Sequence, residues 1–188
     1  SDVIGLIHSL RLVSPIVLGH SMGGMTAAVV AGRLGDGLQG VILVDPTFLS
    51  PERQREVCDS DVAEQHRRLL SLNKGELLAQ LRARHGRRSP EMVELLVEAR
   101  RQTRLSAFDV LTPPNPPYRE LVRAIEVPIL LAIGDDPVVS PETARELRKL
   151  NPLVRVAQIP GAGHGLPFDQ PERLAEVVGT FIRSVTAS

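Results

Sequence analysis

The sequence holds no tryptophan, one tyrosine, four phenylalanines and a single cysteine, Cys58, among 188 residues. A lone cysteine forbids an intrachain disulfide and cannot build a thiolate metal cluster, so nothing in the chain calls for an oxidising compartment. An excess of charge of either sign is missing too: 22 Lys and Arg face 22 Asp and Glu, a formal net charge of zero. That balance argues against nucleic acid as the main partner. No run of about 18 apolar residues occurs, so no membrane span is expected. The opening SDVIGLIHSL lacks the basic region and long apolar core of a signal peptide. A cytoplasmic, globular chain is the expectation, in keeping with 43% hydrophobic and 23% charged residues.

What is present is an alternation of two patterns. Four short runs rich in Val, Ile and Leu read as strands: Pro15 to Gly19, Gly40 to Asp45, Val127 to Gly134 and Leu153 to Ile159. The first three lack apolar/polar alternation, as strands covered on both faces do, whereas the last is mixed and suits a position nearer an edge. Helical signals follow the first, third and fourth runs, at Met22 to Leu34, Pro141 to Leu150 and Pro171 to Ser184. Ser140-Pro141-Glu142 and Gln170-Pro171-Glu172 place Pro and an acid in the first turn, where both are favoured. Strand and helix in alternation predict an α/β fold with a parallel sheet and flanking helices. From Thr47 to Glu126 the strand signals vanish. Arg-rich amphipathic stretches replace them, clearest at Glu76 to His85 with Leu77, Leu78 and Leu81, and at Glu91 to Arg104 with Met92, Leu95, Leu96 and Ala99. The expected organisation is a core of residues 1–46 and 126–188 interrupted by a mostly helical insertion, 47–125, which closes on the stiff Pro113-Pro114-Asn115-Pro116-Pro117.

Gly19-His20-Ser21-Met22-Gly23-Gly24 joins the first strand to its helix and satisfies G-x-S-x-G. A sharp strand-to-helix turn crowds the backbone at the serine, so a Cβ at Gly19 or Gly23 is expected to collide across it. Ser21 is then held out at the carboxyl end of the strand, with the Met22 N–H at the helix start ready to bind an oxyanion. A serine hydroxyl needs a base, and the base an orienting acid. Pro160-Gly161-Ala162-Gly163-His164-Gly165 places His164 in a glycine-rich loop after the last strand, on the same sheet edge as Ser21. His8 lies in a helix before the first strand, and His66 and His85 lie in the charged insertion. His20 reads as a packing or polar-lining neighbour of the nucleophile. For the acid, Asp135 and Asp136 stand together after the third strand, and Asp45 ends the second.

Elbow serine, strand-end aspartate and loop histidine, in the order Ser, Asp, His, resemble the α/β-hydrolase family over almost the whole chain. The resemblance favours Asp136 as the acid, because family members of this kind carry it in G-x-x-D-P-V-V-x-P and Asp136 to Pro141 matches from the aspartate onward. The stretch before it is one residue short, which keeps Asp135 as the alternative. Some members place the acid where Asp45 stands, although Asp45-Pro46 also reads as a strand-ending turn. The resemblance further implies that 47–125 is a cap, and that only the last four of the family's eight strands are in this sequence. The elbow strand would then be an open edge, and the rest of the fold, or a complementing chain, would be a partner. The basic cluster Arg82, Arg84, His85, Arg87 and Arg88 reads as a solvated helix end more readily than as an anion-steering patch.

The activity so implied is hydrolysis of an ester or thioester of a small to medium apolar acyl substrate, through Ser21, His164 and Asp136 (or Asp135), without metal or organic cofactor. Carbon–carbon bond hydrolysis and metal-free haloperoxidation use the same triad and stay open. So do a ligand-binding receptor on this fold and an inactive partial chain, since a fold alone does not decide between them.

Overall fold

A computed structural model describes residues 2–86 and 88–187; Arg87 of the basic cluster lies outside them. The described residues divide into two compact units, 2–48 with 116–187, and 49–115. In the first, helix α1 (Asp2–Ser9) precedes strand β1 (Ile16–His20), helix α2 (Met22–Leu34) and strand β2 (Gly40–Val44). The chain returns to this unit with helix α7 (Tyr118–Ala124), strand β3 (Ile129–Ile133), helix α8 (Pro141–Leu150), strand β4 (Val154–Gln158), a short helix α9 (Leu166–Asp169) and helix α10 (Pro171–Thr186).

The four strands form one sheet in the order β1-β2-β3-β4, every pair parallel. All their carboxyl ends therefore lie along one edge. β2 and β3 are buried at every residue, the condition their unbroken apolar runs predicted. Alternate side chains serve opposite faces. Val41, Leu43, Ile129, Leu131 and Ile133 join α2, α7 and α8 in one core. Ile42, Val44, Leu130 and Ala132 join Leu166 of α9 and Leu174, Phe181 and Val185 of α10 in another. β4 is an edge strand with only Val154 fully buried, as its mixed sequence suggested. β1 is the other edge, with Leu18 51% exposed.

The second unit contains helices α3 (Pro51–Cys58), α4 (Val62–Leu70), α5 (Lys74–Arg84) and α6 (Pro90–Gln102). Ser50 and Ser89 cap α3 and α6 through their side chains, each with Pro in the first turn, and Asn73 with Glu76 forms a capping box on α5. Its core is Leu77 and Leu81 packed with Val93 and Val97. The buried stripe of α6 differs from the expected one: Leu95 is 65% exposed and Ala99 is exposed, while Val93 and Val97 are buried. Both stripes have helical spacing, and the contact with α5 selects between them. The unit is also shorter than the expected insertion. α7 belongs to the first unit because Tyr118 and Val122 are buried in its core. Asn151 anchors this segment, its Nδ2 donating to the carbonyls of Val122 at 2.7 Å and Ile125 at 2.8 Å.

Candidate active site

The parallel sheet brings the ends of β1, β2, β3 and β4 to one edge, and each is followed there by a residue that sequence reasoning singled out. Ser21 occupies the turn between β1 and α2. Its amide continues the sheet ladder by donating to Val44 O at 2.9 Å, while its carbonyl already accepts from Gly24 and Met25 as the helix begins. Switching from strand to helix within one residue forces Ser21 to φ 56°, a left-handed conformation that a non-glycine residue adopts only when its surroundings impose it. The glycines that permit this turn are not quite those expected. A Cβ on Gly19 would lie 2.0 Å from Gly23 O, an impossible contact. A Cβ on Gly23 would meet nothing within 4 Å, contrary to the expectation, and the second crowded position is Gly24, where it would lie 2.8 Å from Pro46 Cβ. Gly23 is thus tight as an oxygen that Gly19 approaches rather than as a side-chain position. Met22, the first residue of α2, has an N–H that no helical carbonyl can satisfy.

His164 lies in the loop between β4 and α9. Its Nε2 is 2.9 Å from Ser21 Oγ. Its Nδ1 is 2.6 Å from Oδ2 of Asp45, so the carboxylate on the histidine is the one that ends β2. Neither Asp136, favoured on the sequence, nor Asp135 occupies that position. Asp135 is exposed and accepts from Gly161 N at 2.6 Å and Gln158 Nε2 at 3.3 Å, fastening the turn that leads to His164. Asp136, also exposed, pairs with Gly163 through the main chain in a parallel bridge. Each supports the loop of the histidine from outside.

Asp45 has the environment of a fixed anion. It is fully buried, and besides His164 it accepts from Val138 N on Oδ2 and Val139 N on Oδ1, both at 2.9 Å. Its φ is 38°, and its own amide donates to Ala132 O at 2.8 Å, extending the sheet by one step before the chain turns away. Three N–H donors meet one buried carboxylate, which compensates for the water it has lost. Two of the donors come from the Asp-Pro-Val-Val stretch that had pointed to Asp136. That stretch contributes main-chain amides to the carboxylate beside His164 and not the carboxylate itself.

The arrangement fixes the proton positions. A carboxylate accepts only, so Nδ1 of His164 carries the hydrogen toward Asp45, and the Nε2 lone pair faces the Ser21 hydroxyl. Such a chain can deprotonate the serine as it attacks and stabilise the imidazolium that forms. Among the described residues no group of three or more His, Cys, Asp and Glu could hold a metal ion, and no helix is long and apolar enough to cross a membrane. His20, expected as a packing or polar-lining neighbour of Ser21, makes a specific bond: its Nε2 donates to the main-chain oxygen of His164 at 2.8 Å.

A model of the alpha/beta hydrolase family matches residues 1–177. N-formylmaleamate deformylase of Pseudomonas putida is 28% identical over 187 residues, covering 97% of this chain and 68% of the deformylase. The sn-1-specific diacylglycerol lipase of Mus musculus is 24% identical over 203 residues, and the match spans 63% of the lipase. Among solved structures, a thermophilic esterase from Thermogutta terrifontis, with malate bound, superposes with a TM-score of 0.73 and 27% identity, over 98% of this chain and 70% of the esterase. The chain therefore spans about two thirds of the length of these relatives.

Proposed function

The chain belongs to the alpha/beta hydrolase family, and from that premise we propose that it is a serine hydrolase acting on an ester or thioester of a small to medium apolar acyl group, with Asp45 as the acid of its triad. One observation carries the reading: Ser21, His164 and Asp45 form a continuous hydrogen-bonded chain at 2.9 and 2.6 Å. Ser21 attacks the substrate carbonyl while His164 Nε2 takes its proton. Asp45 holds the imidazolium, and the Met22 N–H meets the oxyanion. Collapse of the tetrahedral intermediate sends the proton from His164 to the leaving alcohol or thiol and leaves an acyl group on Ser21. Water, deprotonated by His164, then releases the acid and restores the serine. No metal or organic cofactor takes part in these steps.

The apolar acyl group is argued from the side chains around the nucleophile. Met22 follows Ser21, Val138 donates its amide to Asp45 and Phe168 stands edge-on to His20, and these three apolar side chains are 42%, 36% and 38% exposed. Kinship with a deformylase favours a second reading on the same residues, in which the acyl group is cleaved from nitrogen. Carbon–carbon bond hydrolysis is compatible with the same triad.

Intact-mass spectrometry before and after a fluorophosphonate probe tests the proposal. A single adduct on the purified protein that disappears in Ser21→Ala supports an activated serine. Absence of labelling, or labelling that survives in Ser21→Ala, contradicts it.

A further inference from the structure

His20 is joined both to the nucleophile and to the base. It is the last residue of β1, peptide-bonded to Ser21, and its register partner is Val44, the residue before Asp45. Its side-chain Nε2 donates to the main-chain oxygen of His164 at 2.8 Å. The carbonyl accepts only, so Nε2 carries the hydrogen. The two imidazole rings lie 5.0 Å apart at 35°, and Phe168 of α9 lies 6.5 Å from His20, edge to face.

The loop that carries His164 leaves β4 through Gly161 and enters α9 at Leu166. Asp135 fastens its first part, through Gly161 N to the carboxylate and Asp135 N to Ala162 O at 2.7 Å. Its last part is fastened by Asp169, whose Oδ2 accepts from Gly163 N at 3.1 Å. Those ties end one residue short of the histidine. His20 supplies a tie at His164 itself, from the strand that presents Ser21. The serine and the imidazole that must deprotonate it are thereby referred to the same strand end.

Resting on the serine hydrolase reading, we infer that His20 is a positioning residue: its Nε2–H fixes the main chain of His164, so that Nε2 of the base meets Ser21 Oγ while Nδ1 meets Asp45. It touches no reacting atom. Two substitutions separate the hydrogen bond from the packing. His20→Phe keeps a ring in contact with His164 and Phe168 and removes the donor. His20→Gln keeps an N–H donor and removes the ring.

The test measures kcat and KM for a small ester together with the low-field proton resonance of His164 Nδ1–H in its bond to Asp45. His20→Phe is expected to lower kcat about 10- to 100-fold, the scale of a misplaced catalytic group, with KM changed by less than about twofold. The resonance should broaden or vanish in His20→Phe, and His20→Gln should restore both it and most of kcat. Wild-type kcat and an unchanged resonance in His20→Phe overturn the inference, as does equal loss in the two variants, which would assign His20 to packing. The resonance reads positioning without turnover. If the wild type fails to hydrolyse esters or to react with a fluorophosphonate, the hydrolase reading fails, and the resonance in the two variants still decides the role of His20.

Discussion

Asp45 and His164 are 119 residues apart in the chain and 2.6 Å apart in space, and the amides of Val138 and Val139 complete the cage around the same carboxylate. Asp45 stands at the end of β2, the strand beside the one that leads to Ser21. The loop after β3 supplies amide donors. This division of labour, one strand end for the charge and another for its solvation, leads to sharp expectations for substitution.

Ser21→Ala and His164→Ala should each remove nearly all turnover, by about 10⁴- to 10⁶-fold in kcat, because nucleophile and base act as one unit. Steady-state kinetics with an activated ester measure both, and retention of a tenth of the activity in either variant argues against the assignment.

Gly19→Ala and Gly23→Ala should behave oppositely although both are elbow glycines. The Cβ at position 19 meets backbone oxygen at 2.0 Å, so that variant should lose about 3 kcal/mol or more, with failure to fold as the limit. At position 23 the Cβ has open space inside α2, and alanine should be neutral or stabilising by up to about 1 kcal/mol. Urea denaturation of the two proteins distinguishes them; equal destabilisation would mean that the turn is built differently.

Asn151→Asp should destabilise by about 3 kcal/mol at neutral pH. The buried side-chain amide donates to Val122 O and Ile125 O, and a carboxylate there would face two carbonyls with no donor of its own. Thermal or chemical unfolding reads this directly, and a variant as stable as the wild type would rule out the role assigned to Asn151 in holding α7.

Asp135→Ala should affect stability more than chemistry. Losing the bonds to Gly161 N and Gln158 at an exposed position should remove about 1 kcal/mol, with kcat changed by less than about tenfold. A larger kinetic loss at unchanged stability would return Asp135 to the list of candidate acids.

Much of this fold was legible because its signals are local. The apolar runs of β2 and β3 mark strands buried on both faces, and Ser140-Pro141 marks the start of α8 without reference to anything distant. That Ser21 and His164 meet at one sheet edge was equally legible, since each sits in a glycine-rich turn whose meaning depends on adjacent residues. The acid was not. Asp45, Asp135 and Asp136 all follow strands of one parallel sheet, and which carboxylate meets Nδ1 depends on how loops 90 or more residues away in sequence settle over the sheet edge. A sequence clue was an aspartate closing a wholly apolar strand, Gly40 to Val44, where a buried charge is costly unless it is paired. The buried stripe of α6 escaped for a related reason: Val93 and Val97 compete with Leu95 and Ala99 at the same spacing, and only contact with α5 chooses between them. Likewise His20 gave no sign in the sequence of the carbonyl it binds 144 residues later.

The most direct test of the triad compares kcat/KM for Asp45→Asn, Asp135→Asn and Asp136→Asn in one assay, with circular dichroism to show that each is folded. Asp45→Asn should fall about 10⁴-fold, the scale set by loss of the acid that orients a catalytic histidine. The other two should stay within about tenfold of the wild type, as supports of the loop and not partners of the imidazole. A fall of that size in Asp136→Asn, with Asp45→Asn folded and active, would contradict the role of Asp45.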